Sequence, residues 1–223
     1  MVDNKLIGLY GGAFDPIHKG HISIAQNCIK IIGLNKIIFI PTGNSPNNKK
    51  MSAHYHRLEM LNIVCKESFF EFSDFEINES LDLKKISYTI NTLKYFKKKT
   101  GSTLLFILGT DAFSTINSWY KWNEILSYCH LVLIERGIEK SDIETMQTEV
   151  QEFFKDNITN NINVLKKNNH GAIYPIPMSL FQESSSEIRE KFKKNLDIND
   201  FLPKTIQDYI NHNKLYRLPG HNK

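Results

Sequence analysis

Cysteine is scarce in this chain: Cys28, Cys65 and Cys129 stand far apart and form no Cys-x-x-Cys pair. An odd number of isolated thiols supports neither a disulfide framework nor a cysteine zinc site, and these residues read as small buried hydrophobes. Long apolar runs are missing as well. None approaches the roughly 20 residues that cross a bilayer. Met1-Val2-Asp3-Asn4-Lys5 lacks the basic head and apolar core of a signal peptide, so a cytoplasmic protein with no membrane partner is expected. Charge of one sign is also lacking. Lys and Arg number 28 against 24 Asp and Glu, a formal net charge of +4. The basic residues are scattered, with no aromatic-interleaved stripe, which argues against a nucleic-acid partner and leaves phosphorylated small molecules as the better match. No linker rich in Pro, Gly or Ser divides the chain and no repeat is visible. Its 223 residues, 41% of them hydrophobic, are therefore expected to form one domain spanning 1–223.

Apolar runs rich in β-branched and aromatic residues are present at Lys5–Tyr10, Lys36–Ile40, Phe69–Phe75, Thr103–Leu108, Leu131–Ile134 and Ala172–Ile176. Several are continuous, as strands covered on both faces must be. Helical spacing fills the intervals at His21–Ile32, His54–Lys66, Ser87–Lys99, Trp122–Cys129, Ser141–Phe154, Ser184–Lys194 and Pro203–Asn213. The alternation predicts an α/β fold: a doubly wound, Rossmann-like, mostly parallel sheet with helices on both faces. The C-terminal helical part, about 184–217, is expected to pack on that core. In such sheets ligands bind beyond the carboxyl ends of the strands.

The loop after the first strand runs Gly11-Gly12-Ala13-Phe14-Asp15-Pro16-Ile17-His18-Lys19-Gly20-His21 and leads into a helical pattern. Adjacent glycines allow a tight turn and a close ligand approach, and the helix start offers unpaired N–H groups to an anion. His18 and His21, three apart, can point at one phosphate chain and stabilise charge developing on transfer. Alone, a Gly-Gly is usually a turn and a histidine pair is usually incidental; between a strand and a helix they reinforce each other. These residues resemble the Gly-Gly-x-Phe-Asp-Pro-x-His-x-Gly-His motif of the HxGH nucleotidyltransferases, specifically the bacterial nicotinate mononucleotide adenylyltransferase branch. The resemblance extends over nearly the whole chain.

Several further positions follow from that resemblance. Ser184-Ser185-Ser186-Glu187-Ile188-Arg189 is similar to the family's Ile-Ser-Ser-Thr-x-Ile-Arg motif, which opens a helix whose N-terminus and arginine hold the ATP phosphates. Serine at a helix start and arginine's planar fork suit that role. The implied catalytic residues are His18, His21 and Arg189. The ATP side would comprise Gly11, Gly12, Ala13, Phe14, Gly20, Gly109, Asp111, Ser184 and Ser186. HxGH relatives also act on phosphopantetheine, riboflavin phosphate and glycerol phosphate, so the middle of the chain decides the acceptor. Gly109-Thr110-Asp111, the pair Trp119-Tyr120, and Ser87-Tyr88-Thr89-Ile90-Asn91-Thr92-Leu93 resemble the segments lining a nicotinate pocket, with Trp119 stacking on the ring; an aromatic plane suits a flat, electron-poor pyridinium. The implied acceptor contacts are Asn44, Lys49, Thr89, Trp119, Tyr120 and Arg136.

Two segments depart from the family. One, Gly137 to Gly171, carries no family motif and is expected to hold no chemistry. In the other, Ser45-Pro46-Asn47-Asn48 stands where Pro-Pro-His-Lys or Pro-Pro-His-Arg is usual, leaving Lys49 or Lys50 to supply the missing cation. The ending, Tyr209-Ile210 and Leu215-Tyr216-Arg217, resembles the family's and is read as packing only. The expected reaction is adenylyl transfer from ATP to nicotinate mononucleotide, giving nicotinic acid adenine dinucleotide and pyrophosphate for NAD biosynthesis. Mg²⁺ would be held mainly by the ATP phosphates and water, with no protein metal site, because the sequence has no acidic ligand cluster. The alternatives are the amidated nucleotide or another phosphorylated acceptor, and a non-catalytic nucleotide sensor on the same fold. Homo-oligomer formation stays open.

Overall fold

The computed structural model describes residues 5–46, 50–66, 68–135, 146–178 and 184–217. Strands β1 (Leu6–Gly12), β2 (Lys36–Pro41), β3 (Glu71–Phe72), β4 (Thr103–Gly109), β5 (His130–Glu135) and β6 (Ile173–Pro177) form one sheet in the order β3-β2-β1-β4-β5-β6. Every pairing is parallel. β1 lies mid-sheet; the chain winds outward from it to β3, then returns to β4 on its other side. The reversal puts the carboxyl ends of β1 and β4 at the switch point, where open α/β sheets bind their ligands.

The period of two along each strand divides the core. On one face Leu6, Tyr10, Phe39, Leu105 and Val132 meet α1 (Lys19–Ile32) and α2 (His54–Lys66). The C-terminal helices α8 (Ser185–Lys193) and α9 (Lys204–His212) pack on that same face through Ile188, Phe192, Ile206 and Ile210. On the other face Leu9, Ile38, Phe106 and Leu133 meet α4 (Thr89–Thr100), the short α5 (Thr110–Phe113) and α6 (Thr148–Asn157). Two-sided burial is why β1, β2, β4 and β5 read as continuous apolar runs. α1 stops at Gly33, whose φ of 77° is the left-handed cap that a residue with a Cβ adopts only at a cost.

Three elements differ from the sequence expectation. The Phe69–Phe75 run contributes only the two-residue edge strand β3, because polar Ser73 and Asp74 end it and Phe75 begins α3 (Phe75–Asp82). Phe75 instead stacks on Tyr95, ring centres 3.9 Å apart. The Trp122–Cys129 segment is a 3-10 helix over Trp122–Ser127. Ser141–Phe154 lies outside the described residues in its first part, and its second part is α6, beginning at Thr148. A further short helix, α7 (Ile162–Lys167), lies in the Asn-rich stretch before β6. No helix among the described residues is long and apolar enough to cross a membrane.

Candidate active site

Beyond Gly12 the chain turns through Ala13–Ile17, and His18 caps α1 in extended backbone conformation, φ −142°. Phe14 holds a left-handed φ of 47°, which costs a bulky side chain of order 1–3 kcal/mol and recurs where function over-determines the backbone. Its ring is buried edge-on to Tyr10, Phe39 and His21, at 5.6, 5.2 and 5.1 Å. The His18 and His21 rings lie 3.7 Å apart at 35°. The His18 backbone N–H donates to His21 Nδ1 at 3.3 Å. A neutral His21 with Nδ1 accepting carries its proton on Nε2, a donor for an anion. His18 and His21 are thus brought together at the carboxyl end of the central strand.

The C-terminal part holds this loop in place. Asp15, 2% exposed, accepts the Tyr216 hydroxyl on Oδ1 at 2.6 Å and the Ser52 N–H on Oδ2 at 3.0 Å. Arg189 Nη1 donates to the Asp15 carbonyl at 2.6 Å, and the Ser185 hydroxyl donates to the Pro16 carbonyl at 3.0 Å. The Lys19 N–H donates to Phe201 O at 2.9 Å. Arg189 therefore stands beside the histidine loop, its other arm donating to Ser186 Oγ at 3.1 Å. Ser184 Oγ caps α8 by accepting the Glu187 N–H. Ser185 and Tyr216, which the motif reading did not assign, reach the loop as well.

A pocket of about 470 Å³ opens between the exit of β2 and the start of α2, lined by Asn44, Ser45, Lys50, Ser52, His54 and Ile86 among others. Asn44 borders it, but its amide donates to the Ser80 and Lys85 carbonyls at 3.5 and 3.3 Å. Its carbonyl accepts the Ser87 N–H at 2.9 Å. Thr89 is the first residue of α4. Trp119 is partly buried edge-on to Phe106 at 6.3 Å, and Tyr120, 51% exposed, faces Tyr88 at 4.8 Å. Gly109 ends β4 and Asp111 is exposed in the first turn of α5. Gly20 is buried within α1. Lys49 and Arg136 lie outside the described residues.

Two charged residues that the motif reading passed over lie beneath these loops. Arg57 is 0% exposed. It donates to the carbonyls of Ala13 (2.9 Å), Thr42 (2.7 Å) and Ser52 (3.3 Å), with His54 Nδ1 at 2.8 Å. Burial pulls its pKa down, opposed by Asp15, Tyr216 and Glu76. Burial likewise pulls His54 below the ordinary histidine value, with the Arg57 charge acting in the same direction. Glu76 in α3 accepts the Thr92 hydroxyl at 2.6 Å. Burial raises its carboxyl above the usual range, against hydrogen bonds from Thr92, Ser87 and Gly43 and the Arg57 charge. Neither residue belongs to a contiguous motif, and isolated charges on otherwise ordinary helices give no signal in the sequence. No group of three or more His, Cys, Asp or Glu among the described residues is placed to hold a metal ion.

A doubly wound sheet with paired histidines on a glycine-led loop at a helix start defines a class, the nucleotide-handling α/β proteins, and the family model described as cytidylyltransferase-like matches residues 9–191. A protein of Pectobacterium atrosepticum named "Probable nicotinate-nucleotide adenylyltransferase" is 31% identical over 219 residues, covering 96% of this chain and 99% of its own. A Clostridium perfringens protein of the same name is 34% identical over 218 residues, covering 96% and 98%. The structure of Plasmodium falciparum nicotinic acid mononucleotide adenylyltransferase complexed with NaAD shares the fold, with a TM-score of 0.71 at 24% identity, covering 95% of this chain and 97% of that one. The chain belongs to the cytidylyltransferase-like family and, within it, to the nicotinate-nucleotide adenylyltransferases.

Proposed function

We propose that this protein, as one domain, transfers the adenylyl group of ATP to the phosphate of nicotinate mononucleotide, giving nicotinic acid adenine dinucleotide and pyrophosphate. The observation that carries the reading is the convergence of His18, His21 and Arg189 on one loop at the switch point, beside a polar pocket built from the β2 exit, the start of α2 and Ile86. An acceptor phosphate oxygen attacks the α-phosphorus of ATP, the bond to the bridging oxygen breaks in line, and pyrophosphate leaves with that electron pair. The chain's part is positioning and charge stabilisation. His21 Nε2–H and the start of α1 face the phosphate chain, and Arg189 exchanges its carbonyl partner for a phosphoryl oxygen. Mg²⁺ chelated by the triphosphate itself would neutralise part of its charge, requiring no protein ligand.

On the acceptor side, Lys50 and His54 border the pocket where the family's histidine and basic residue are absent. They supply polar and cationic groups for the acceptor phosphate, together with Lys49 and Arg136. Asn44 shapes the wall, and Thr89, Trp119 and Tyr120 take the ring end. The test is pyrophosphate release from ATP with magnesium and either nicotinate mononucleotide or its amide. Rapid release with the acid and slow release with the amide supports the reading. Preference for the amide reassigns the acceptor, and release with neither removes the reading.

A further inference from the structure

Two walls of the acceptor pocket come from distant parts of the sequence. One is the loop leaving β2, through Gly43 and Asn44; the other is Ile86, from which Ser87-Tyr88 leads into α4 at Thr89. Their direct backbone joint is slight, consisting of the Ser87 N–H on the Asn44 carbonyl at 2.9 Å and one parallel bridge between Asn44 and Ile86. A third element, α3, lies behind both. Its Glu76 carbonyl would collide with any Cβ placed on Gly43, so that wall rests directly against the α3 backbone.

The Glu76 side chain turns this contact into a junction. Thr92 Oγ1, one turn into α4, donates to Oε1 at 2.6 Å. The Gly43 N–H donates to Ser87 Oγ at 3.2 Å. That hydroxyl has its own proton to give, and both Ser87 and the Gly43 backbone lie near enough to the Glu76 carboxyl to favour its ionised form, against the burial that raises its pKa. One carboxyl group thus takes a donor from α4 and faces the Gly43–Ser87 pair that joins the two walls, and bonds to it are about twice as strong where it is ionised. Arg57 completes the arrangement from beneath, donating to Thr42 O at 2.7 Å.

We propose that Glu76 is a positioning residue for the acceptor: its carboxylate holds the β2-exit loop and the Ser87–Thr89 segment in register, so that acceptor binding depends on it and ATP binding does not. The inference rests on the acceptor reading given above. It adds a residue that touches neither substrate.

The experiment compares Glu76→Gln with Thr92→Val and Thr92→Ser in the full chain. Glutamine keeps the volume but has one acceptor oxygen and turns an NH₂ group toward donors. Expected for Glu76→Gln is a KM for nicotinate mononucleotide raised about tenfold or more, with the KM for ATP within about twofold. Thr92→Val should follow it in the same direction, and Thr92→Ser, which keeps the hydroxyl, should restore the acceptor KM. Amide hydrogen exchange reads the same claim without turnover. Glu76→Gln should speed exchange at residues 42–44 and 87–89 while leaving residues 13–18 unchanged. An unchanged acceptor KM and unchanged exchange at both walls would overturn the proposal. So would both KM values rising together with faster exchange at the first loop, the pattern of general loosening. Failure of the unsubstituted protein to use nicotinate mononucleotide would count against the acceptor assignment, and the exchange pattern would then decide the role of Glu76 by itself.

Discussion

The Tyr216 hydroxyl donates a 2.6 Å hydrogen bond to the Asp15 carboxylate across 201 positions of sequence. Burial pushes the Tyr216 phenol's pKa well up, with the Asp15 charge acting in the same direction, so this donor keeps its proton at any physiological pH. The segment read from sequence as packing alone therefore also braces the histidine loop. Tyr216→Phe leaves a buried carboxylate oxygen short of its donor and should cost about 1.5–3 kcal/mol. The KM for ATP should rise more than the KM for the acceptor, measured by initial rates over both substrates. Unchanged stability and unchanged kinetics would show the bond to be incidental.

Each histidine of the His18–His21 pair is expected to act on the transfer step. His18→Ala and His21→Ala should each lower kcat about 10²–10³-fold, with melting temperature little changed. A merely structural pair would instead show parallel losses of stability and activity. Steady-state rates combined with thermal melts followed by circular dichroism separate the two outcomes.

Arg57 carries more of the fold than an arginine usually does, because it is fully buried and its donors serve three backbone carbonyls. Arg57→Ala should destabilise the protein by about 3–5 kcal/mol, a fall in Tm of about 6–20 °C for a chain of this size. Arg57→Lys recovers only part of this, since a single ammonium cannot span the fork. A thermal shift assay that finds the alanine variant within about 2 °C of the parent would contradict this account.

His130 should make stability fall in mild acid. It is fully buried, with Nδ1 accepting the Ala172 N–H at 3.0 Å and Nε2 facing Asn168 O at 2.9 Å. Desolvation holds its pKa below the ordinary 6.5 in the folded protein, outweighing the Asn168 hydrogen bond. A depressed histidine keeps its contribution above the unfolded value and loses it as pH falls from there through the folded pKa. Urea midpoints should therefore drop from about pH 7 to about pH 5, and the slope should be shallower in His130→Asn. Equal slopes would assign the acid sensitivity to other groups.

The parallel strands were legible because burial on both faces makes them unbroken apolar runs, and the histidine loop was legible because its chemistry lies within eleven consecutive residues. α3 was hidden: its first residue, Phe75, closes an aromatic stretch that reads as strand. Arg57 and Glu76 were invisible for a different reason. Arg57's partners Ala13 and Thr42, and Glu76's partner Thr92, are 15 to 44 positions away, and a charge that will be buried looks the same in sequence as one that will be solvated. Asn44 was expected to contact the acceptor phosphate; that its amide turns toward the Ser80 and Lys85 carbonyls depends on a helix the pattern did not reveal.

The distance in sequence between Asp15 and Tyr216 also has a meaning in time. Ribosomes add about 5–20 residues per second, so the brace is made about 10–40 s after the loop it serves. Throughout that interval the nascent chain can build its central strands while the histidine loop lacks its last constraint. The full bracing of the histidine loop is therefore a late event in the protein's synthesis, arriving with the few residues beyond α9.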